Sequence, residues 1–174
     1  MEEYYDNESL QSLSGIFNGS SNFIISKIYK ENLAYKEALS LAQNLGFAET
    51  DPSLDVEGYD PKYKLIILAL HDFGLLLKPE EVFNYGINFL TESEISLHKE
   101  TGIAVKLNPV LQKTKENKLN AFVLPQLINS NHKLYNEWNE YNAVIVEGQF
   151  SNEQVFIRKG AGGHPTGSAV LSDI

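Results

Sequence analysis

Residues 46–64 read GFAETDPSLDVEGYDPKYK and combine a cluster of carboxylates with the start of a very apolar segment. Gly46 is suited to end the preceding helix, because glycine accepts the left-handed backbone that closes many helices. We predict that Asp60 is the N-cap of the next helix and that Pro61 is its first residue. Lys64 then lies about one turn into that helix, close to Asp60. Five carboxylates precede this lysine: Glu49, Asp51, Asp55, Glu57 and Asp60.

The residues after Lys64 predict a buried helix. They read LIILAL and are apolar all round, so the helix is expected to run from Pro61 to about Phe73, before Gly74. At the mouth of such a helix, desolvation favours a neutral amine and carboxylates favour the ammonium, a balance that suits acid–base chemistry. In the alternative interpretation Asp60 is only a cap and Lys64 its surface partner. The pattern alone favours this alternative, because caps are far commoner than catalytic sites.

Three motifs follow one another along the chain. They are GIFNGSSNFI at residues 15–24, GFAETDPSLDVEGYDPKYKL at residues 46–65 and KGAGGHPTGSAVLSDI at residues 159–174. In order and spacing they resemble successive signatures of the homoserine dehydrogenase family. The resemblance extends over nearly the whole chain after the first dozen residues, and it is to the substrate-binding and dimerisation portion of that family.

This resemblance implies a reaction and a setting for it. The family interconverts L-homoserine and L-aspartate 4-semialdehyde with NAD(P), in threonine, methionine and isoleucine biosynthesis. The resemblance therefore implies a cytoplasmic oxidoreductase that binds a small-molecule substrate and forms a homodimer. In such an enzyme the cofactor carries out the hydride chemistry, while the protein positions the reactants and supplies the proton.

The resemblance also assigns roles to individual residues. Lys64 matches the family's catalytic lysine, the proton donor in the reducing direction, with Asp60 as its catalytic neighbour. Glu49 and Asp60 match residues that hold the substrate, and Asp55 matches another carboxylate of that pocket. Ser20 stands where the family has a small hydroxyl residue lining the site. From the residues alone, Ser20 and its polar neighbours are more readily explained as a turn and a helix cap.

Two glycines, Gly46 and Gly162, match backbone positions close to the cofactor. No GxGxxG motif follows a predicted strand, so we expect residues 1–174 to form a single catalytic and dimerisation domain without the family's nucleotide-binding domain. Such a fragment is expected to be inactive by itself. Arg158 and Asp72 depart from the glycine and the small apolar residue usual at their positions. The alternative function is a non-catalytic module that keeps the fold and binds a small amino acid or a protein partner.

Composition excludes several other classes of function. With a net charge of −9 and a pI of about 4.9, the chain is a poor match for a nucleic-acid backbone. It has no cysteine, its four histidines are dispersed, and no apolar run is long enough to cross a membrane. We therefore expect no metal site, no nucleic-acid partner and no membrane span. The 174 residues, 43% of them hydrophobic, suffice for one domain with a sizeable core.

Hydrophobic periodicity and turn residues predict helices early in the chain and strands later. Further helices are expected at residues 20–29 and 35–45, a short turn of helix at 79–83, a helix opened by the capping box at Thr91 and ending near Gly102, and another near Pro165. Strands are expected at residues 84–90, 103–107 and 120–124, and a hairpin at 143–147 and 154–157 with Gly148 near its turn. This order predicts an α+β fold, an antiparallel or mixed sheet with helices on one face. The sheet's other face is then available for the dimer.

Overall fold

The computed structural model describes residues 8–116 and 118–160, apart from the side chains of residues 92 and 96–98. Its helices are α1 (Gly19–Glu31), α2 (Tyr35–Asn44), α3 (Ser53–Val56), α4 (Tyr59–Phe73) and α5 (Glu92–Glu100), with a short 3₁₀ helix at Pro79–Glu81. Its strands are β1 (Leu10–Ile16), β2 (Phe83–Asn84), β3 (Ala104–Lys113), β4 (Leu119–Ile128), β5 (Tyr141–Gly148) and β6 (Asn152–Lys159).

The six strands form one mixed sheet in the order β2-β4-β3-β1-β5-β6. All neighbouring pairs are antiparallel except β2 and β4, which are parallel. Helix α4 packs on β1, β3 and β4, and α1 packs on β3 and β5. The predicted α+β fold with helices packed on a mixed sheet is confirmed.

The centre of the sheet is β1, which the sequence analysis did not identify. Leu13 in β1 lies opposite Leu111 of β3 and Val146 of β5, and all three side chains are completely buried. The segment LQSLSGI has only three large apolar residues, separated by serines, glutamine and glycine. Its position between two long hairpins, rather than its own composition, makes it the core of the fold.

Helix α1 begins where β1 ends, and its first turn lies between the two strands that flanked β1. The pairing of β1 with β3 stops at Ser14, and the next backbone N–H, that of Gly15, donates to Asn108 Oδ1 at 2.8 Å. Beyond this point Asn22 of α1 accepts a hydrogen bond from Lys106 of β3 and donates one to the Tyr141 carbonyl of β5. The start of α1 is therefore fixed by both halves of the sheet.

Most of the predicted elements are present. Helices α1, α2 and α5 confirm three predictions, and Thr91 and Glu94 form the expected capping box at α5. Gly46 follows α2 with a left-handed φ of 74°, as its position predicted. The β3–β4 and β5–β6 hairpins are also confirmed, with strands longer than the apolar runs suggested.

The predicted start of α4 was wrong. The helix begins at Tyr59 and its N-cap is Gly58, which has a φ of 82°. Asp60 therefore lies in the first turn and does not cap the helix, and Pro61 is its third residue rather than its first. The physical reason is the preceding α3, whose single turn ends at Val56 with Glu57 as its C-cap. Gly58 then reverses the chain in a left-handed conformation that glycine adopts without strain.

The prediction that α4 is buried all round was also wrong. Leu65 and Ala69 are completely buried, but Ile67 and Leu70 are 57% and 44% exposed. One face of α4 packs on the sheet and the opposite face does not, although both are apolar.

The strand predicted at residues 84–90 ends at Asn84. The chain then leaves the sheet edge to contact α3, where the Ile87 N–H donates to the Val56 carbonyl at 2.7 Å. A β-carbon on Gly86 would lie 2.1 Å from the same carbonyl oxygen, so this close approach requires glycine. The predicted helix near Pro165 and the predicted cofactor glycine Gly162 lie outside the described residues.

Candidate active site

Helix α4 places Asp60, in its first turn, and Lys64, four residues later, on one face of the helix. Lys64 Nζ lies 2.7 Å from Asp60 Oδ2, and it also donates to the Phe17 carbonyl at 3.0 Å. The Lys64 side chain is 47% exposed and that of Asp60 is 30% exposed. An ammonium group has three N–H donors, so these two bonds leave one for a ligand.

Asn18 connects this ion pair to a second carboxylate. It is the N-cap of α1, and its Oδ1 accepts the Ser21 N–H at 2.8 Å. Its Nδ2 donates to Asp55 Oδ1 at 2.6 Å and to Asp60 Oδ2 at 2.8 Å. The sequence predicted a turn and a helix cap in this segment, with polar groups facing a ligand as the alternative, but it did not predict the contacts of Asn18 with Asp55 and Asp60. Its amide is what brings the two carboxylates together.

The surroundings of the Asp55 carboxyl disfavour its charged form. Burial raises its pKa, and the nearby Asp60 carboxylate raises it further. Hydrogen bonds from Asn18 and Ser20 and the charge of Lys64 act in the opposite direction, but burial prevails. A negative charge is thus held in a partly desolvated place, where it attracts a cationic group of a ligand.

An apolar cavity of about 280 Å³ opens beside Lys64. Besides this lysine it is lined by Ile16, Phe17, Ile67, Leu68, Asn142 and Val144. The Asn142 Oδ1 is buried and has no hydrogen-bond partner among the described residues. The cavity therefore offers apolar walls and one ammonium donor to a ligand.

Glu49 and Gly46 lie in a different depression. This second cavity, of about 420 Å³, is lined mainly by polar groups and includes Gln43 and Thr50. The Glu49 side chain is exposed, and its backbone carbonyl accepts from Gln43 Nε2 at 3.0 Å. Ser20 lies between the two cavities. Its hydroxyl donates to the Phe47 carbonyl, and its hydrogen bond to Asp55 acts to lower the pKa of that carboxyl.

The structure thus brings Lys64, Asp60 and Asp55 together and places Ser20 at their edge. It places Glu49 and Gly46 in the neighbouring depression. Across the described residues, no group of histidine, aspartate or glutamate side chains is arranged to hold a metal ion. Nor does this part of the chain contain a helix with the length and apolar character needed to cross a membrane.

Comparison with known proteins gives a consistent result. The family model described as homoserine dehydrogenase matches residues 1–174. A homoserine dehydrogenase of Bacillus subtilis (strain 168) is 40% identical over 174 residues, which are 100% of this chain and 40% of the relative. The chain thus spans about 40% of the length of the curated relatives it resembles.

Solved structures share the fold. A homoserine dehydrogenase from Thiobacillus denitrificans has a TM-score of 0.92 and 35% identity, with 99% of this chain and 40% of that chain covered. A hyperthermophilic archaeal homoserine dehydrogenase mutant, in complex with NADPH, has a TM-score of 0.77 and 26% identity, with 98% of this chain and 48% of that chain covered.

Proposed function

The chain belongs to the homoserine dehydrogenase family, and we propose that it is the catalytic and dimerisation domain of an enzyme that interconverts L-homoserine and L-aspartate 4-semialdehyde with NAD(P). The observation that carries this proposal is the position of Lys64. Its ammonium is held by Asp60 and the Phe17 carbonyl at the edge of an apolar cavity. The nucleotide is bound mainly by another domain.

Lys64 is the acid in the reducing direction. As the aldehyde carbon of aspartate semialdehyde gains a hydride, its oxygen takes a proton from the Lys64 ammonium, which becomes an amine. In the oxidising direction the amine accepts the hydroxyl proton of homoserine. Asp60 holds the lysine in place through its hydrogen bond, and a positioned acid such as Lys64 contributes on the order of a hundredfold to ten-thousandfold in rate.

The carboxylates bind the substrate. Both homoserine and its aldehyde carry an ammonium group, which Asp55 and Asp60 attract on one side and Glu49 on the other. The Ser20 hydroxyl lies between these groups and completes a polar rim. Charge-assisted hydrogen bonds of this type are the strong ones in protein sites.

The apolar cavity beside Lys64 fits the nicotinamide ring. Phe17 and Leu68 provide its apolar walls. By the family resemblance, Gly46 and Gly162 are the backbone positions close to the nucleotide. When bound, the nicotinamide supplies or accepts the hydride. The NADPH in the related archaeal structure supports this choice of cofactor.

The setting belongs to the same proposal: a cytoplasmic homodimer of threonine, methionine and isoleucine biosynthesis. The absence of cysteine suits a reducing compartment. Support for the dimer comes from a row of side chains across the sheet, on the face opposite to that of Leu13.

Activity in trans tests the proposed function. We expect the purified chain with homoserine and NAD(P)⁺ to show no turnover. A nicotinamide without its binding domain is not oriented, and correct orientation lowers the activation barrier by several kcal/mol. Addition of a matching nucleotide-binding half should restore turnover. Turnover by the chain alone at the rate of an intact enzyme would contradict the proposed division of roles. Homoserine binding without turnover in the mixture would instead favour the non-catalytic module.

A further inference from the structure

Lys106 in β3 is completely buried. Its Nζ donates to Asn22 Oδ1 at 3.1 Å and to the Glu137 carbonyl, and it lies 3.6 Å from the centre of the Trp138 ring. None of these three contacts is with a carboxylate. A buried lysine without an ion-pair partner is costly, and an apolar side chain would fill the same place at less cost. The position of this amine therefore calls for a role.

The first contact of Lys106 orients an amide that binds three carbonyls. While Asn22 Oδ1 accepts from the lysine, Asn22 Nδ2 donates to the carbonyls of Glu137, Asn139 and Tyr141 at 3.2, 2.9 and 3.1 Å. If the amide rotated by half a turn, all these bonds would be lost. Lys106 thus selects the orientation in which α1 holds residues 137–141.

The contacts between Asn22 and residues 137–141 lie next to the candidate site. The Asn22 N–H donates to the Asn18 carbonyl at 3.3 Å, so the two asparagines are one turn apart. The Asn18 amide binds Asp55 and Asp60. At the other side, residues 137–141 lead into Asn142, which lines the cavity beside Lys64.

We propose that Lys106 is a positioning residue: by orienting the Asn22 amide it fixes residues 137–141 on the first turn of α1 and so sets Asn18 against Asp55 and Asp60. The use of this arrangement in turnover rests on the proposed function, whereas the arrangement itself is a property of the ligand-free chain.

The proposed role is independent of the charge on the amine. Burial lowers the pKa of Lys106 to about 7, with Lys30 adding to this effect and Glu137 opposing it. A neutral amine still has two N–H donors, enough for Asn22 Oδ1 and the Glu137 carbonyl. The amide therefore keeps its orientation on both sides of neutral pH.

The test is a ¹³C NMR titration of the Asp55 carboxyl in the ligand-free chain and in Lys106→Met. Methionine keeps the length and apolar contacts of the side chain and removes the N–H donors. We expect a folded variant by circular dichroism, altered Asn18 side-chain amide signals, and an Asp55 titration midpoint raised by about half a pH unit or more, because the Asn18 bond that favours the carboxylate is weakened. An unchanged midpoint with unchanged Asn18 signals would overturn the proposal.

Val105→Ala is the matched control. Val105 precedes Lys106 on β3, is 2% exposed, and points to the opposite face of the strand. Its truncation should lower the melting temperature and leave the Asp55 midpoint unchanged. An equal midpoint shift in this control would mean general loosening and would contradict a positioning role.

A second variant covers a failure of Lys106→Met to fold. Lys106→Leu also removes every N–H donor and has a shorter, apolar side chain, so we expect a midpoint shift in the same direction. No shift in a folded Lys106→Leu chain would overturn the proposal. Since the titration uses no substrate or cofactor, its outcome is separate from that of the activity assay.

Discussion

Asp60 Oδ2 receives two donors, the Asn18 amide at 2.8 Å and the Lys64 ammonium at 2.7 Å. The ion pair alone is partly exposed, and exposed pairs contribute little to stability. The second donor gives the carboxylate a fixed orientation and links the end of β1 to the start of α4. The arrangement therefore fixes the position of the Lys64 ammonium more than it stabilises the helix, as the proposed catalytic role requires.

Lys64→Ala separates the catalytic interpretation from the structural one. In the enzyme reassembled with a matching nucleotide-binding half, we expect turnover to fall on the order of a hundredfold to ten-thousandfold, with a much smaller effect on substrate binding. Steady-state kinetics with a folding check by circular dichroism measures this. A folded variant with turnover within about threefold of the parent would place Lys64 among ordinary surface pairs.

Lys27→Ala is the control for this measurement. Lys27 forms an ion pair with Glu31 of the same i,i+4 type as Asp60 and Lys64, but on α1. Its loss should leave turnover unchanged.

Glu49→Ala should mainly raise the KM for homoserine, because it removes a charge-assisted bond made in both ground and transition state.

Asp60→Ala should reduce turnover without the stability loss of a removed cap, since Gly58 occupies the N-cap position.

Asp55→Asn should stabilise the fold while it impairs the site. Because the pKa of Asp55 is raised in the folded chain, the unfolded chain releases this proton first, and stability falls as pH rises through the ordinary value of 3.8. Asparagine can still accept from Asn18 and removes this loss. We expect a higher melting temperature at pH 7 and a flatter stability profile from pH 4 to 7 by thermal denaturation. A lower melting temperature at pH 7 would show that the Asp55 charge contributes to stability.

The residues of the site were predictable to different degrees. Lys62 and Lys64 are two positions apart, yet Lys62 is 8% exposed and donates to Asn84 Oδ1 at 3.0 Å, whereas Lys64 faces the cavity. The spacing of four residues from Asp60 made Lys64 the candidate, but the same pattern also fits a surface ion pair, and the family resemblance favoured the catalytic interpretation. The double hydrogen bond of Asn18 spans about forty residues of sequence, and no local signal contains it.

At the scale of elements, the sequence predicted those that carry their own signal. The capping box at Thr91, the left-handed glycine after α2 and the alternation in the hairpins all act within a few residues. β1 has no such signal, because two serines and a glycine interrupt its apolar residues, and it becomes a strand only when β3 and β5 pair with both of its edges.

For α4, composition correctly predicted a helix but wrongly predicted that it is buried on every side. The run from Leu65 to Leu70 is apolar on every side, which in most soluble proteins indicates burial all round. In the structure, however, the side that carries Ile67 adjoins the cavity beside Lys64. An apolar face next to the proposed catalytic lysine is consistent with the proposed nicotinamide site.

At the scale of the molecule, one row of side chains crosses five strands. Register aligns Phe122, Val110, Ser14, Ile145 and Val155 from β4 to β6. The row lies on the face opposite to that of Leu13, and Phe122, Val110 and Val155 are partly exposed. A sheet with helices packed on its other face buries such a row when two copies associate.

We therefore predict a dimer with about twice the 19.5 kDa mass of the chain, measured by light scattering at micromolar concentration. Val110→Glu puts a charge at the centre of the row and should give a monomer, because burying it between two copies leaves it without a partner. Lys115→Glu, in the exposed β3–β4 turn, adds a carboxylate away from the row and should leave the dimer intact. A parent chain that is monomeric at this concentration would refute the dimer, and a dimeric Val110→Glu chain would place its interface on another surface.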